Sequence, residues 1–176
     1  MTEKGEDREV PQELIDDLVL ELSLASALPI GLNGRNYILA TSAANSLAYH
    51  TSNMPKKELK KLEYAVGPLL ILLAMNIDDP VSGKAALGLR SLMPSRVCIS
   101  RFIELDGLLV AANIFNTLMG FNMVDMKTAS NHRTLVEHLA VCYREISRFY
   151  PWKIGTKPFL TQLLYSAGAH TELVLS

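Results

Sequence analysis

Cysteine and aromatic residues are scarce in this sequence, and its charges nearly cancel. The 176 residues include 2 Cys and 1 Trp, and aromatic residues make up 7%. Two cysteines do not make a disulfide framework, so Cys98 and Cys142, each within an apolar stretch, are predicted to be small buried side chains in a reducing compartment. The 17 Lys and Arg residues against 18 Asp and Glu give a formal net charge of −1. This balance argues against a general affinity for nucleic acid or for anionic membranes.

Long hydrophobic runs and the common catalytic motifs are also missing. The longest apolar run, Val66 to Met75, is too short to span a membrane. The acidic, polar start of the chain lacks the apolar core of a secretory signal. There is no P-loop, zinc-binding His-Glu-x-x-His, Cys-x-x-Cys or Gly-x-Ser-x-Gly pattern. We therefore expect a soluble cytoplasmic protein that is not an enzyme and holds no metal or cofactor; nothing in the sequence distinguishes the cytoplasm from the nucleus or the cilium.

The sequence is rich in aliphatic residues at helical spacing. Hydrophobic residues make up 49%, mostly Leu and Ala, which favour helices. Leu14, Leu18 and Leu22, for example, repeat every four residues along one face. No segment alternates polar and apolar residues between hairpin turns, so the predicted fold class is all-α. We expect a polar tail over residues 1–10, one helical domain over 11–168 and a C-terminal tail over 169–176.

Proline and glycine divide the helical domain into predicted elements. Pro68 fits the early part of a new helix, and Asp78-Asp79-Pro80 fits a turn that starts the next. The predicted helices cover residues 11 to about 29, 36–50, 82–93, 132–150 and about 157–167. A further helical segment begins at residue 55 and is interrupted at 67–68, and a helical region over 96–119 is broken at Gly107. Residues 120–130 are predicted to form a loop.

Two segments of the chain look alike. Gly67 and Gly107 each precede a run of aliphatic residues, and they are 40 positions apart. The Ala-rich segments upstream align Ala43 with Ala85, an offset of 42. A helical period of about 40–47 residues is typical of HEAT and armadillo solenoids.

The stretch from Ala65 to Leu118 resembles armadillo repeats. Gly67-Pro68-Leu69-Leu70-Ile71-Leu72-Leu73 is similar to the start of the family's third helix, and the segment from Lys84 to Leu92 resembles its second helix. This resemblance implies a short right-handed α–α superhelix of about three repeats. It also implies a non-catalytic scaffold that binds a protein partner along one helical face. The Trp and Asn pattern with which importin-type relatives hold nuclear-localisation signals is missing, so that activity is not implied.

Four residues are candidates for partner binding: Arg90, Arg101, Asn113 and Asn116. We expect Arg101 to begin the helix that lines the solenoid groove, with the two asparagines further along it as neighbours at i and i+3. Other polar residues have simpler interpretations. His132 and His138 are expected to be structural, the aspartates before helices to be caps, and the lysines between 56 and 61 to form a solvated face.

Two other functions remain open. The chain could be a structural subunit of a large assembly, or a helical protein that binds a lipid or another ligand in an apolar cavity between Leu69–Leu73 and Leu108–Ala112. The apolar C-terminal helix, which includes Phe159 and Leu163, is covered either by folding back or by contact with another chain.

Overall fold

The computed structural model describes residues 9–27, 35–119 and 125–151. Every regular element in these ranges is helical, which confirms the all-α prediction for this part of the chain. The elements are α1 (Gln12–Ala27), α2 (Arg35–Ser52), a 3-10 helix (Leu59–Ala65), α3 (Val66–Met75), α4 (Pro80–Leu92), α5 (Arg96–Glu104), α6 (Gly107–Met119) and α7 (Met126–Phe149). The final predicted helix at 157–167, the tail at 169–176 and residues 1–8 lie outside the described residues.

Local capping sets several of the helix boundaries. The Asp79 side chain accepts a hydrogen bond from the Val81 N–H at 3.0 Å, so Asp79 caps α4 with Pro80 in its first turn. Ser95 caps α5 in the same way through the Cys98 N–H. Pro68 is the third residue of α3, as the sequence predicts.

One predicted boundary is wrong. Helix α7 begins at Met126 instead of after residue 130, because Asp125 Oδ1 accepts hydrogen bonds from the Lys127 and Thr128 N–H groups at 2.9 and 3.0 Å. The predicted break of the region 96–119 at Gly107 is confirmed, since α5 ends at Glu104 and α6 begins at Gly107, with Asp106 in a left-handed conformation (φ 58°) between them.

Glycine is required at the start of α6 by a close approach to α5. A Cβ at position 107 would lie 2.7 Å from three atoms of the Phe102 ring. Phe102 itself is 1% exposed, so its ring is held within the core. Because Gly107 has no side chain, α6 can begin this close to the Phe102 ring of α5.

Helix α4 lies at the centre of the described structure. It packs against α2, α3 and α7, and small residues let its neighbours approach closely. A Cβ at Gly88 would lie 2.9 Å from Leu69 Cδ2 of α3 and 3.5 Å from Leu47 Cδ2 of α2. The inward positions that the sequence predicts for α4 are confirmed as buried: Ala85, Ala86, Leu89 and Leu92.

Two pairs of helices distant in sequence run parallel. Gly83 lies beside Thr134, and further along both helices Arg90 Nη1 lies 3.1 Å from His138 Nδ1, so α4 and α7 run in the same direction. Gly67, near the start of α3, lies beside Leu105 just before α6, and the end of α3 lies beside the middle of α6. Two neighbouring helices can run parallel only if the chain between them returns to the end at which the first helix began. The helices that lie between the members of each pair in the sequence provide this return.

The core runs continuously from α1 to α7 and contains both cysteines, as predicted. The end of α7 is held against α5, where the Arg96 guanidinium lies 4.5 Å from the centre of the Phe149 ring. None of the described helices has the length and hydrophobicity needed to cross a membrane.

Candidate functional site

A groove lies between the C-terminal half of α3, the turn that follows it, and the middle of α6. Its volume is about 390 Å³. Its lining is apolar with polar edges and contains no charged side chain: Ala74, Met75, Asn76, Ile77, Val110, Asn113, Ile114 and Thr117. Such a lining suits an uncharged, largely apolar group flanked by hydrogen-bonding atoms.

The groove forms because each of its helices buries its other side. On α3, Leu69, Leu72 and Leu73 are fully buried, which leaves Ala74 exposed on the groove side. On α6, Phe115 and Leu118 face the core, together with Ala111, whereas Asn113, Asn116 and Thr117 are exposed. The apolar periodicity of the two helices thus places the asparagine carboxamides outward.

Asn113 is one of three polar residues that line the groove, together with Asn76 and Thr117. Its side chain is exposed, and its backbone carbonyl accepts a hydrogen bond from Thr117 Oγ1 at 2.8 Å. A carboxamide offers both a donor and an acceptor, which matches the alternating N–H and C=O groups of an extended peptide.

Of the four predicted binding residues, the structure brings only Asn113 and Asn116 together. They share α6, and Asn113 alone lines the groove. The expectation that Arg101 begins the same helix is wrong, since Arg101 lies within α5, where Nη1 is 3.4 Å from Glu104 Oε2. Arg90 lies on α4 and contacts His138 of α7.

The groove residues that the sequence did not point to come from the end of α3, from the turn after it and from α6: Ala74, Met75, Asn76, Ile77, Ile114 and Thr117. Met75, Asn76 and Ile77 follow the segment that the glycine offset matches to α6. Extended past Leu73, that alignment matches Met75 with Phe115. Phe115 lies in the sequence between Ile114 and Thr117, which line the same groove as Met75. The alignment therefore contains a usable signal for the position of the groove.

The Arg90–His138 contact is structural in character. Burial, followed by the nearby Arg90 charge, lowers the pKa of His138 below its ordinary value of 6.5. The ring is therefore neutral near pH 7, and its Nδ1 accepts a hydrogen bond from the Arg90 guanidinium. This contact ties α4 to α7.

The two thiols are poorly suited to nucleophilic chemistry. Burial raises the pKa of Cys98 to about 11 and that of Cys142 to about 12. Cys98 Sγ also donates a hydrogen bond to the Leu59 carbonyl at 3.3 Å. Because the reactive species is the thiolate, the raised pKa values disfavour reaction of either cysteine while the protein is folded.

The acidic residues have different local roles. Asp79 is a helix cap, as predicted, whereas Asp78 lies 2.7 Å from His132 Nε2 and is not the cap. Asp106 supplies the left-handed turn before α6. In the described ranges, no group of three or more His, Cys, Asp or Glu side chains could hold a metal ion.

The lysine-rich segment divides into a solvated part and an anchored part. Lys56, Lys57 and Lys60 are exposed. Lys61 Nζ lies 2.7 Å from Glu58 Oε2 and 3.3 Å from Glu9 Oε1, and its hydrogen bond lowers the pKa of Glu58. Lys61 thus helps to attach the residues that lead into α1.

The chain matches no protein-family model, no curated protein and no solved structure. The resemblance to armadillo repeats therefore stays a prediction. A functional assignment has to depend on the groove and on the arrangement of the helices around it.

Proposed function

We propose that this chain is a short armadillo-like helical repeat domain that acts as a non-catalytic protein-interaction scaffold. Two pairs of parallel helices support this proposal. Gly67 and Gly107, the glycines matched in the sequence, both lie in the first turn of their helices, and those helices run parallel. Stacked repeats bring equivalent helices side by side in parallel, whereas an up-and-down bundle alternates their direction.

The observation on which the proposed binding depends is the exposed Asn113 carboxamide in an uncharged groove. In the proposed complex, an extended segment of a partner protein lies along α6. Asn113 exchanges hydrogen bonds with its backbone, and an apolar side chain of the segment enters between Met75 and Val110. The absence of charge in the lining favours an uncharged segment, because an ionised side chain would lose hydration there without gaining a partner.

The other predicted residues take secondary parts in this proposal. Asn116, one turn beyond Asn113, extends the polar edge for a longer segment. Arg101 lies on the adjacent α5 and would contact only a segment that continues past α6. Arg90 supports the packing of α4 on α7 through His138.

Site-specific photocrosslinking in cells tests the proposal. A photoreactive amino acid replaces Thr117, an exposed residue of the groove lining, in one variant and Asn45, an exposed asparagine on α2, in the matched control, so that Asn113 is kept in both. We expect position 117 to crosslink to one defined partner polypeptide, and the unlabelled wild-type chain to compete with that product. Identical products from positions 117 and 45, or turnover of a small molecule by the purified chain, would reject the scaffold proposal.

A structural subunit of a large assembly is the second candidate, and exposed apolar side chains favour it. Leu20 and Leu24 on α1 are each 57% exposed, and Ile38 and Leu39 on α2 are 72% and 54% exposed. A permanent neighbour would cover side chains of this kind. Gel filtration separates the two candidates, because a well-behaved monomer contradicts an obligate subunit.

We do not extend the proposal to a lipid- or ligand-binding cavity. The side chains expected to line it include Leu69, Leu72 and Ala111, and all three are fully buried within the core cluster. These three side chains belong to the core, and the groove described above lies further along both helices.

A further inference from the structure

We infer that Asn131 and His132, near the start of α7, are positioning residues for the α3–α6 groove. They hold the turn Asn76–Asp79, whose first two residues form one wall of the groove. The inference rests on the proposed function, since it assigns to α7 the control of the same binding site.

Asp78 is bonded at three points. Its Oδ1 lies 2.7 Å from His132 Nε2, and its backbone carbonyl accepts a hydrogen bond from Asn131 Nδ2 at 2.8 Å. Its N–H donates to Asn76 Oδ1 at 3.1 Å. Because a carboxylate only accepts, Nε2 carries the hydrogen in the bond to His132. Together these bonds fix the path of the chain where it leaves α3.

The position of the turn makes this attachment relevant to the groove. Asn76 and Ile77 line the groove, and they come directly before Asp78 in the chain. Within the turn, the Asp79 N–H donates a hydrogen bond to the Asn76 carbonyl at 3.2 Å, and Ser82 Oγ of α4 donates to the Leu73 carbonyl of α3. The bonds from Asn131 and His132 to Asp78 add an attachment of the turn to α7. Release of Asp78 from α7 would therefore give the groove wall formed by Ile77 more freedom to move.

The contribution of His132 to the turn can be separated from its contribution to the packing of α7. His132 is 9% exposed, and α7 is also held by buried Leu135, Leu139 and Ile146 and by the contact of His138 with Arg90. The contact of His138 with Arg90 does not involve the His132 side chain. His138 is the matched control, because it is a histidine on the same helix whose polar contact leads to α4 and not to the turn.

The consequence is a reciprocal linkage between groove and helix. If the partner segment binds only when Asn76 and Ile77 hold the groove wall in place, its binding stabilises the hydrogen bonds between Asp78 and α7. Loss of these hydrogen bonds then weakens the affinity for the segment by the same factor. Asn131 and His132 thus connect two parts of the molecule that are more than 50 residues apart in the sequence.

Hydrogen exchange of the full-length chain, read by mass spectrometry over residues 76–81, tests the attachment. We expect His132→Ala to accelerate exchange in this peptide about tenfold to a hundredfold, the effect of losing one hydrogen bond to a charged group. His132→Gln, whose amide nitrogen can replace Nε2, should restore much of the protection, and His138→Ala should leave this peptide unchanged. If His132→Ala does not fold, Asn131→Ala is measured instead. Unchanged exchange in a folded variant overturns the inference.

The photocrosslink at position 117, with Asn113 intact, tests the effect on binding. We expect its yield to fall in His132→Ala, to recover in His132→Gln and to stay at the wild-type level in His138→Ala. Faster exchange with an unchanged crosslink would overturn the positioning role while the proposed function stands. Loss of a specific crosslink in the otherwise wild-type chain would instead overturn the proposed function, so the two failures are distinguishable.

Discussion

Replacement of Gly107 by alanine tests the packing of α6 on α5. The added Cβ would lie 2.7 Å from three atoms of the Phe102 ring, whereas carbon atoms in contact normally lie about 3.5–4.0 Å apart. Phe102 is almost completely buried, so the ring has little room to retreat. Gly67→Ala is the matched control, because its Cβ would meet Leu105 Cδ1 at an ordinary 3.5 Å.

The expected magnitudes follow from two opposing effects. Overpacking of a core costs about 1–3 kcal/mol, and the preference of helices for alanine over glycine returns up to about 1 kcal/mol. Gly107→Ala should therefore lower the free energy of unfolding by about 1–2 kcal/mol, and the Tm by about 2–8 °C for a chain of this size. Gly67→Ala should range from no change to a gain of about 1 kcal/mol.

Urea unfolding followed by far-ultraviolet circular dichroism measures both variants. The double variant Phe102→Leu with Gly107→Ala adds a direct test of the contact, because the smaller leucine side chain removes the ring that the added Cβ meets. We expect the double variant to lose at least about 0.5 kcal/mol less than the two single losses combined. Equal stability of Gly107→Ala and wild type, or strict additivity in the double variant, would refute the packing argument.

Three other predictions concern the cap of α4, His138 and the cysteines. Asp79→Ala should lower the free energy of unfolding in urea by about 1 kcal/mol, and Asp79→Asn, which still accepts the Val81 N–H bond, should lower it less; equal losses would argue against the cap. Folding lowers the pKa of His138, so the imidazole binds a proton more readily in the unfolded chain than in the folded one. The free energy of unfolding should therefore fall as the pH drops below 6.5, and this fall should be smaller in His138→Gln than in the wild-type chain. Parallel pH profiles of the two proteins would contradict this prediction. Cys98 and Cys142 should react with a thiol reagent only after denaturation, since burial keeps both thiols protonated; rapid labelling of the folded protein would show that they are accessible.

Local sequence signals predict much of the secondary structure. Pro80 and Pro94 bracket α4, and the spacing of Ala85 and Leu89 identifies its buried face. These features depend on residues within one or two turns of each other, so a single sequence is enough to detect them. Gly107 likewise predicts the break between α5 and α6, whereas the left-handed conformation of Asp106 before it is not predicted, because non-glycine residues rarely adopt it.

The groove could be predicted only in part. The sequence identifies Asn113 as a candidate, but Met75 and Val110 come to line the same groove only because α3 and α6 pack side by side. The Asp78–His132 contact likewise joins residues 54 positions apart. Contacts of this kind depend on which helices become neighbours, and helical periodicity reports the buried face of a helix but not its partner.

The central position of α4 has a consequence for mutational tolerance. Eight of its 13 residues are buried, and its faces meet helices on several sides. At Gly88, even an added methyl group would lie 2.9 Å from Leu69 Cδ2, so the buried side chain of Leu69 would have to shift. In a saturation scan, α4 should therefore accept the narrowest range of amino acids among the described helices, and its small residues should be the least replaceable.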